Sequence, residues 1–145
     1  MAHIRKLIRD QIVSQLTGLS TTGARVYPSR VYPMGINKLP GLAIYTDNES
    51  SEYATISLPR TIIRTLTVNV EVYVKGVSNY DDDIDQITAE VEAAFYSDVT
   101  LNGYAKDTQI TGCMVQYVGE GDQPVATAVL TVDVTYTTTE GAPTS

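Results

Sequence analysis

Tryptophan is absent from this chain, and histidine, phenylalanine and cysteine each occur once. A single cysteine excludes an internal disulfide and favours an intracellular origin. The lone histidine, His3, has no Cys or His partner at metal-ligand spacing, so it reads as a solvated helix end. Cys113 has no base in sequence reach to activate it and reads as a small strand residue. No apolar run approaches the roughly 20 residues of a membrane helix. Arg5, Lys6, Arg9 and Asp10 break up the first sixteen residues, where a secretory leader would keep a clean apolar stretch. Positive charge is scarce beyond residue 75, where Lys106 stands alone.

Charge is therefore unevenly spread. Residues 1–75 hold nine basic residues and five acids, a balance of +4, whereas 76–145 hold one against twelve, a balance of −11. The net −7 argues against a general nucleic-acid binder. Unlike halves suit head-to-tail contact between copies, or docking on a partner of fixed polarity.

Alternation is the strongest pattern present. Leu66, Val68, Val70, Val72 and Val74 are apolar at every second position, as are Ala126, Ala128, Leu130, Val132, Val134 and Tyr136. Side chains alternate across a strand, so two long strands with one apolar face each are expected. Ile4, Leu7, Ile8, Ile12 and Leu16 recur at helical spacing over 3–17, and Ile84, Ile87, Val91, Ala94 and Phe95 do so up to about Ser97. Gly18 is placed to end the first helix. Ser78 or Asn79 caps the second, whose first turns carry Asp81, Asp82, Asp83 and Asp85 where the helix dipole favours negative charge.

Short extended pieces are expected at 25–27 and 30–32, a buried strand at 42–46, a polar break at 47–51, and an extended piece at 52–58. A long strand spans 61–75. Strands 108–118 and 124–138 form a hairpin around 119–123. The expected fold class is α+β, with a single mainly antiparallel sheet and two helices packed on one face. One domain over 1–138 and a flexible C-terminal tail over 139–145 complete the organisation.

No catalytic, cofactor-binding or metal-binding residue is expected. Asp81, Asp82 and Asp85 match an Asp-Asp-x-x-Asp diphosphate motif, but no second acidic motif faces them, and an acidic helix start accounts for the run. Gly119-Glu120-Gly121 lacks the lysine or third glycine of a phosphate loop. Ten tyrosines suit half-wet positions and protein interfaces. Arg60, Arg64 and Tyr73 are the candidate protein-interface residues.

Several stretches together resemble a known family. Thr22-Gly23-Ala24-Arg25-Val26-Tyr27 follows the opening helix, and Leu39-Pro40-Gly41-Leu42-Ala43-Ile44-Tyr45 comes next. The long strand from Arg64, the Asp-led helix, and Gly119-Glu120-Gly121-Asp122-Gln123-Pro124-Val125 before a Thr/Val-rich last strand complete the series. In order and texture the chain resembles the tail terminator (minor tail protein U-like) family of long-tailed bacteriophages.

The resemblance implies an α+β protomer, made in the host cytoplasm and resident in the neck region of the virion tail. There a homo-hexameric ring caps the tail tube protein, stops its polymerisation and offers a joining surface to the head-completion or connector protein. It also implies that DNA passes the lumen without specific binding, that no membrane is involved, and that no cofactor is needed. Acids of the second half, Glu120 and Asp122, are expected to face the lumen more closely than Arg60 and Arg64. Competing readings are a tube or head-completion protein, a small-ligand binding domain, and an enzyme using the Asp81–Asp85 run. A missing acid–base pair disfavours the last.

Overall fold

The computed structural model describes residues 3–23, 26–27, 40–75, 80–118 and 125–142. Two helices and five strands follow in the order α1 (Ile4–Leu16), β1 (Val26–Tyr27), β2 (Gly41–Tyr53), β3 (Thr61–Lys75), α2 (Tyr80–Ser97), β4 (Asp107–Val118) and β5 (Val125–Thr139). The four long strands make one antiparallel sheet, and the two-residue β1 joins its edge in parallel, giving the spatial order β1-β2-β3-β5-β4. The expected α+β class is thus the observed one.

The centre of the sheet follows from period-two patterning. β3 and β5 pair with even numbers opposite even numbers, Leu66 with Val134, Val68 with Val132, Val70 with Leu130 and Val72 with Ala128. Their apolar faces therefore coincide, and every one of these eight side chains is buried. α1 lays Ile8, Ile12 and Leu16 on this face near β2, and α2 lays Ile84, Ile87, Val91 and Phe95 over β3 and β5. Burial of each such side chain contributes roughly 1.5–3 kcal/mol. α1 stops where expected: Gly18 adopts φ +94°, open to glycine without steric cost, and its N–H donates to the Gly23 carbonyl at 2.8 Å.

β2 departs from expectation. In place of a buried strand, a polar break and a second extended piece, one continuous strand of 13 residues pairs with β3. The polar run is accommodated by a bulge: Thr46 faces Val68 and Asn48 faces Thr67, leaving Asp47 as the extra residue. Polar residues are tolerated because this strand lies at the sheet's margin. The bulge also reverses which residues point inward, so Glu49 lies opposite Leu66 on the helix-covered face. The chain after Tyr53 is the tip of the β2–β3 hairpin, not strand. A second bulge at Thr111 does the same to β4, between the Ile110–Val132 and Gly112–Thr131 pairs.

β5 runs one residue beyond the expected domain boundary at 138. Past it, the Glu140 N–H donates to the Arg60 carbonyl at 2.7 Å, and Ala142 bridges back to Thr139. The expected extended piece at 30–32, the Ser78 or Asn79 cap and the 119–123 loop lie outside the described residues.

Removing Asp47 from the chain would close the bulge with Asn48 still opposite Thr67 and Glu49 still opposite Leu66, whereas one residue inserted between Asn48 and Glu49 would swing Glu49 to the outer face. Urea unfolding is expected to show a loss above about 3 kcal/mol for the insertion, whereas the Asp47 deletion and Asp47→Gly, which both keep Glu49 inward, stay within about 1 kcal/mol of the parent.

Candidate functional site

Glu49 anchors the main polar cluster of the described residues. Its carboxylate is almost buried and accepts from the Arg64 guanidinium at 3.3 Å and from the Tyr136 hydroxyl, with the Arg5 guanidinium at 3.5 Å. Arg64 also donates through Nε to Thr138 Oγ1 at 2.9 Å. Burial, followed by the hydrogen bond to Glu49, pushes the Tyr136 hydroxyl above the ordinary phenol range. The tyrosine thus keeps its proton, and the Glu49 carboxylate is bound by two guanidinium groups.

Above this cluster His3 caps α1, its Nδ1 accepting from the Arg5 N–H at 3.0 Å. Desolvation, then the Arg5 charge, holds the His3 imidazole below its ordinary value. Beside it opens a pocket of about 300 Å³ bordered by Arg5, Lys6, Arg9, Asp47 and Glu49. Its walls are charged and open to solvent, unlike the apolar cavities that hold small molecules. Among the described residues no group of three or more His, Cys, Asp and Glu side chains converges as a metal-ligand set.

The sequence-derived interface candidates fall in three different places. Arg60 stands at the hairpin base, ion-paired with Glu140 at 3.0 Å and stacked over the Tyr53 ring at 5.3 Å from its centroid. Arg64 belongs to the Glu49 cluster, its side chain only 16% exposed. Tyr73 lies on the uncovered sheet face, half-buried, with its hydroxyl donating to Glu71, as Tyr45 also does. Glu120 and Asp122 lie outside the described residues.

Two apolar surfaces that the sequence reading did not single out are open. The hairpin tip exposes Ile56 (96%), Leu58 (72%) and Tyr53 (57%). Across the molecule β4 exposes Met114 and Val115, and α2 exposes Tyr96. The tip is shaped by the Ala54 N–H donating to the Thr61 carbonyl at 2.8 Å and the Thr61 N–H donating to Thr55 Oγ1 at 2.9 Å. The signal for it was Ile56-Ser57-Leu58-Pro59, apolar residues with no charge, set before a proline that ends a strand. Single exposed apolar residues are ordinary, but the three gathered at the hairpin tip mark a contact surface.

In a comparison with solved structures, a chain described as "Virion of native gene transfer agent (GTA) particle" has a similar backbone course. The TM-score is 0.37 and the sequence identity 12%, over 94% of this chain and 92% of that one. No protein-family model and no curated protein matches the sequence. Similarity of that size carries no functional inference.

Replacing Glu49 by Ala leaves Arg64 nearly buried without its carboxylate and is expected to cost about 3 kcal/mol in urea unfolding. The double variant Glu49→Ala/Arg64→Met should recover a good part of that loss. His3 makes a separate prediction. Its folded value lies below the unfolded 6.5, so the unfolded chain takes up the proton first. Stability is therefore fully present above pH 6.5 and falls as pH drops through the folded value. Unfolding measured at pH 7.5 and pH 5 should show a larger loss for the parent than for His3→Asn, whose amide caps without titrating.

Proposed function

We propose that this chain is a structural assembly protein of the tail-terminator type, working through its surfaces as a ring of six copies and catalysing no reaction. The observation that carries this reading is the inequality of the molecule's two sides. One sheet margin is β2, paired by β1 only at Leu42 and Ala43; the other is β4, unpaired along its outer edge among the described residues. Where one such margin meets the other, each copy offers two different faces to its neighbours. Copies then associate head to tail, and such contacts close into rings when the rotation per copy permits. The resemblance of the sequence to tail terminators supplies the number six and the partners, the tail tube and the head's connector.

Electrostatics agrees with a conduit role. The exposed Asp81, Asp82 and Asp83 at the start of α2 form no salt bridge among the described residues. Six such helices around an opening would repel phosphates and let DNA pass unbound.

Native mass spectrometry of the full chain tests the reading. A dominant species at six times the 15.8 kDa protomer is expected, together with short rings and no long tubes in negative stain. A protein that stays monomeric both alone and mixed with unterminated tail tubes overturns it.

A further inference from the structure

The bulge at Thr111 has an effect that the interior of the protomer does not use. Beyond it, Cys113 lies opposite Leu130 and Val115 opposite Ala128, and both of these partners point to the helix-covered face. Among the described residues α2 packs on β3 and β5 and leaves that part of β4 open, so Cys113 and Val115 are exposed on a face that elsewhere is core. α2 forms the wall of the resulting groove. Helical spacing sets Asp85, Glu92 and Tyr96 on one stripe, and the thiol of Cys113, raised first by desolvation, is raised further by the charges of Glu92 and Asp85. The groove thus has an apolar floor beside an acidic wall.

The hairpin tip is its complement. Residues 54–59 carry no charge, Ile56 and Leu58 stand out from the tip, and the first charge met is the positive Arg60. The guanidinium of Arg60 has further N–H donors beyond the one given to Glu140. The two surfaces cannot meet within one molecule. Val115 is level with Ala128 and Val72, eleven residues along β3 from Thr61 at the hairpin base, a distance of about 35 Å.

We propose that the β2–β3 hairpin tip of one copy seats in the groove between β4 and α2 of the next, with Ile56 and Leu58 over Val115 and Cys113. The contact rests on the head-to-tail ring reading and names its interface. Apolar knob meets apolar floor, and Arg60 approaches the acidic stripe of Asp85 and Glu92. Knob and groove lie on different parts of the chain, so each copy gives one and receives one.

The chain's single cysteine makes the test direct. Ile56→Cys and, separately, Ser57→Cys add one thiol at the tip, where exposure keeps the fold unaffected. Mild oxidation of each is followed on non-reducing gels, beside native mass spectra of the same samples. Expected is a ladder of covalent species extending past the dimer to the full ring, reduced to dimers at most when Cys113→Ser is added. Leu58→Asp, folded by circular dichroism, should weaken association at least tenfold, and maleimide labelling of Cys113 should become correspondingly faster. Rings that persist without any ladder from either tip position overturn the contact and leave the ring reading standing. So do rings unchanged by Leu58→Asp that no longer attach to tails, which would give the tip to the tube instead. A wild-type chain that never forms rings overturns both.

Discussion

The ladder between β3 and β5 is the constraint from which the rest of the molecule is built. All fifteen residues of β3 find a partner on β5 without a slip in register. A slip of one residue would turn the whole apolar set of one strand to the wet face. Because Leu66 to Val74 and Ala126 to Tyr136 share one parity, the two strands present a single apolar surface wide enough to seat both helices. α1 and α2 each supply an apolar stripe, and on α2 Thr88 Oγ1 is buried without a hydrogen-bond partner among the described residues. Thr22, Thr108 and Thr138 are the buried polar residues of the described chain.

The outer strands obey a different rule. β2 and β4 each hold the central parity for part of their length and then lose it at a bulge, Asp47 in one and Thr111 in the other. In β2 the reversal brings an acid inward, and Arg64, Tyr136 and Arg5 arrive to satisfy it. In β4 it brings Cys113 and Val115 to the inner side, where nothing of the described chain covers them. One bulge thus builds an internal ionic cluster at the root of the hairpin, and the other leaves an apolar strip at the far margin. Bulges at sheet margins commonly re-aim side chains in this way.

This division explains what could be read in the sequence. Central strands and helices show clean periods because one face of each is buried along its whole length, so β3, β5 and both helices were legible to within a residue or two. β2 was not, because Asp47-Asn48-Glu49-Ser50-Ser51 reads as a polar break when parity is followed residue by residue. Only the paired β3 edge makes it strand. Arg64 was picked for its charge as a surface residue, yet its ion pair depends on the bulge that carries Glu49 inward. Ile56 and Leu58 fall within the extended piece expected at 52–58; their exposure follows from the hairpin turning earlier than proline alone would mark. Local pattern predicts faces well where the neighbour is uniform and fails where a bulge resets the count.

Two or three apolar side chains on a hairpin tip bury little, on the order of 1.5–3 kcal/mol each when fully covered. That is comparable with, or less than, the several kcal/mol that bringing two molecules together costs. A single knob-in-groove contact between two copies is therefore weak. A closed ring changes the balance, since its last contact forms within an assembly already held together, at high effective concentration. Weak pair contacts with strong closure favour complete rings over fragments. They also leave assembly sensitive to a template, since a surface that gathers copies side by side supplies the same concentration effect. The rigid root of the hairpin serves this economy: Glu49, Arg64, Tyr136 and Thr138 fix the base of the arm, so little freedom is lost at its tip when a neighbour receives it.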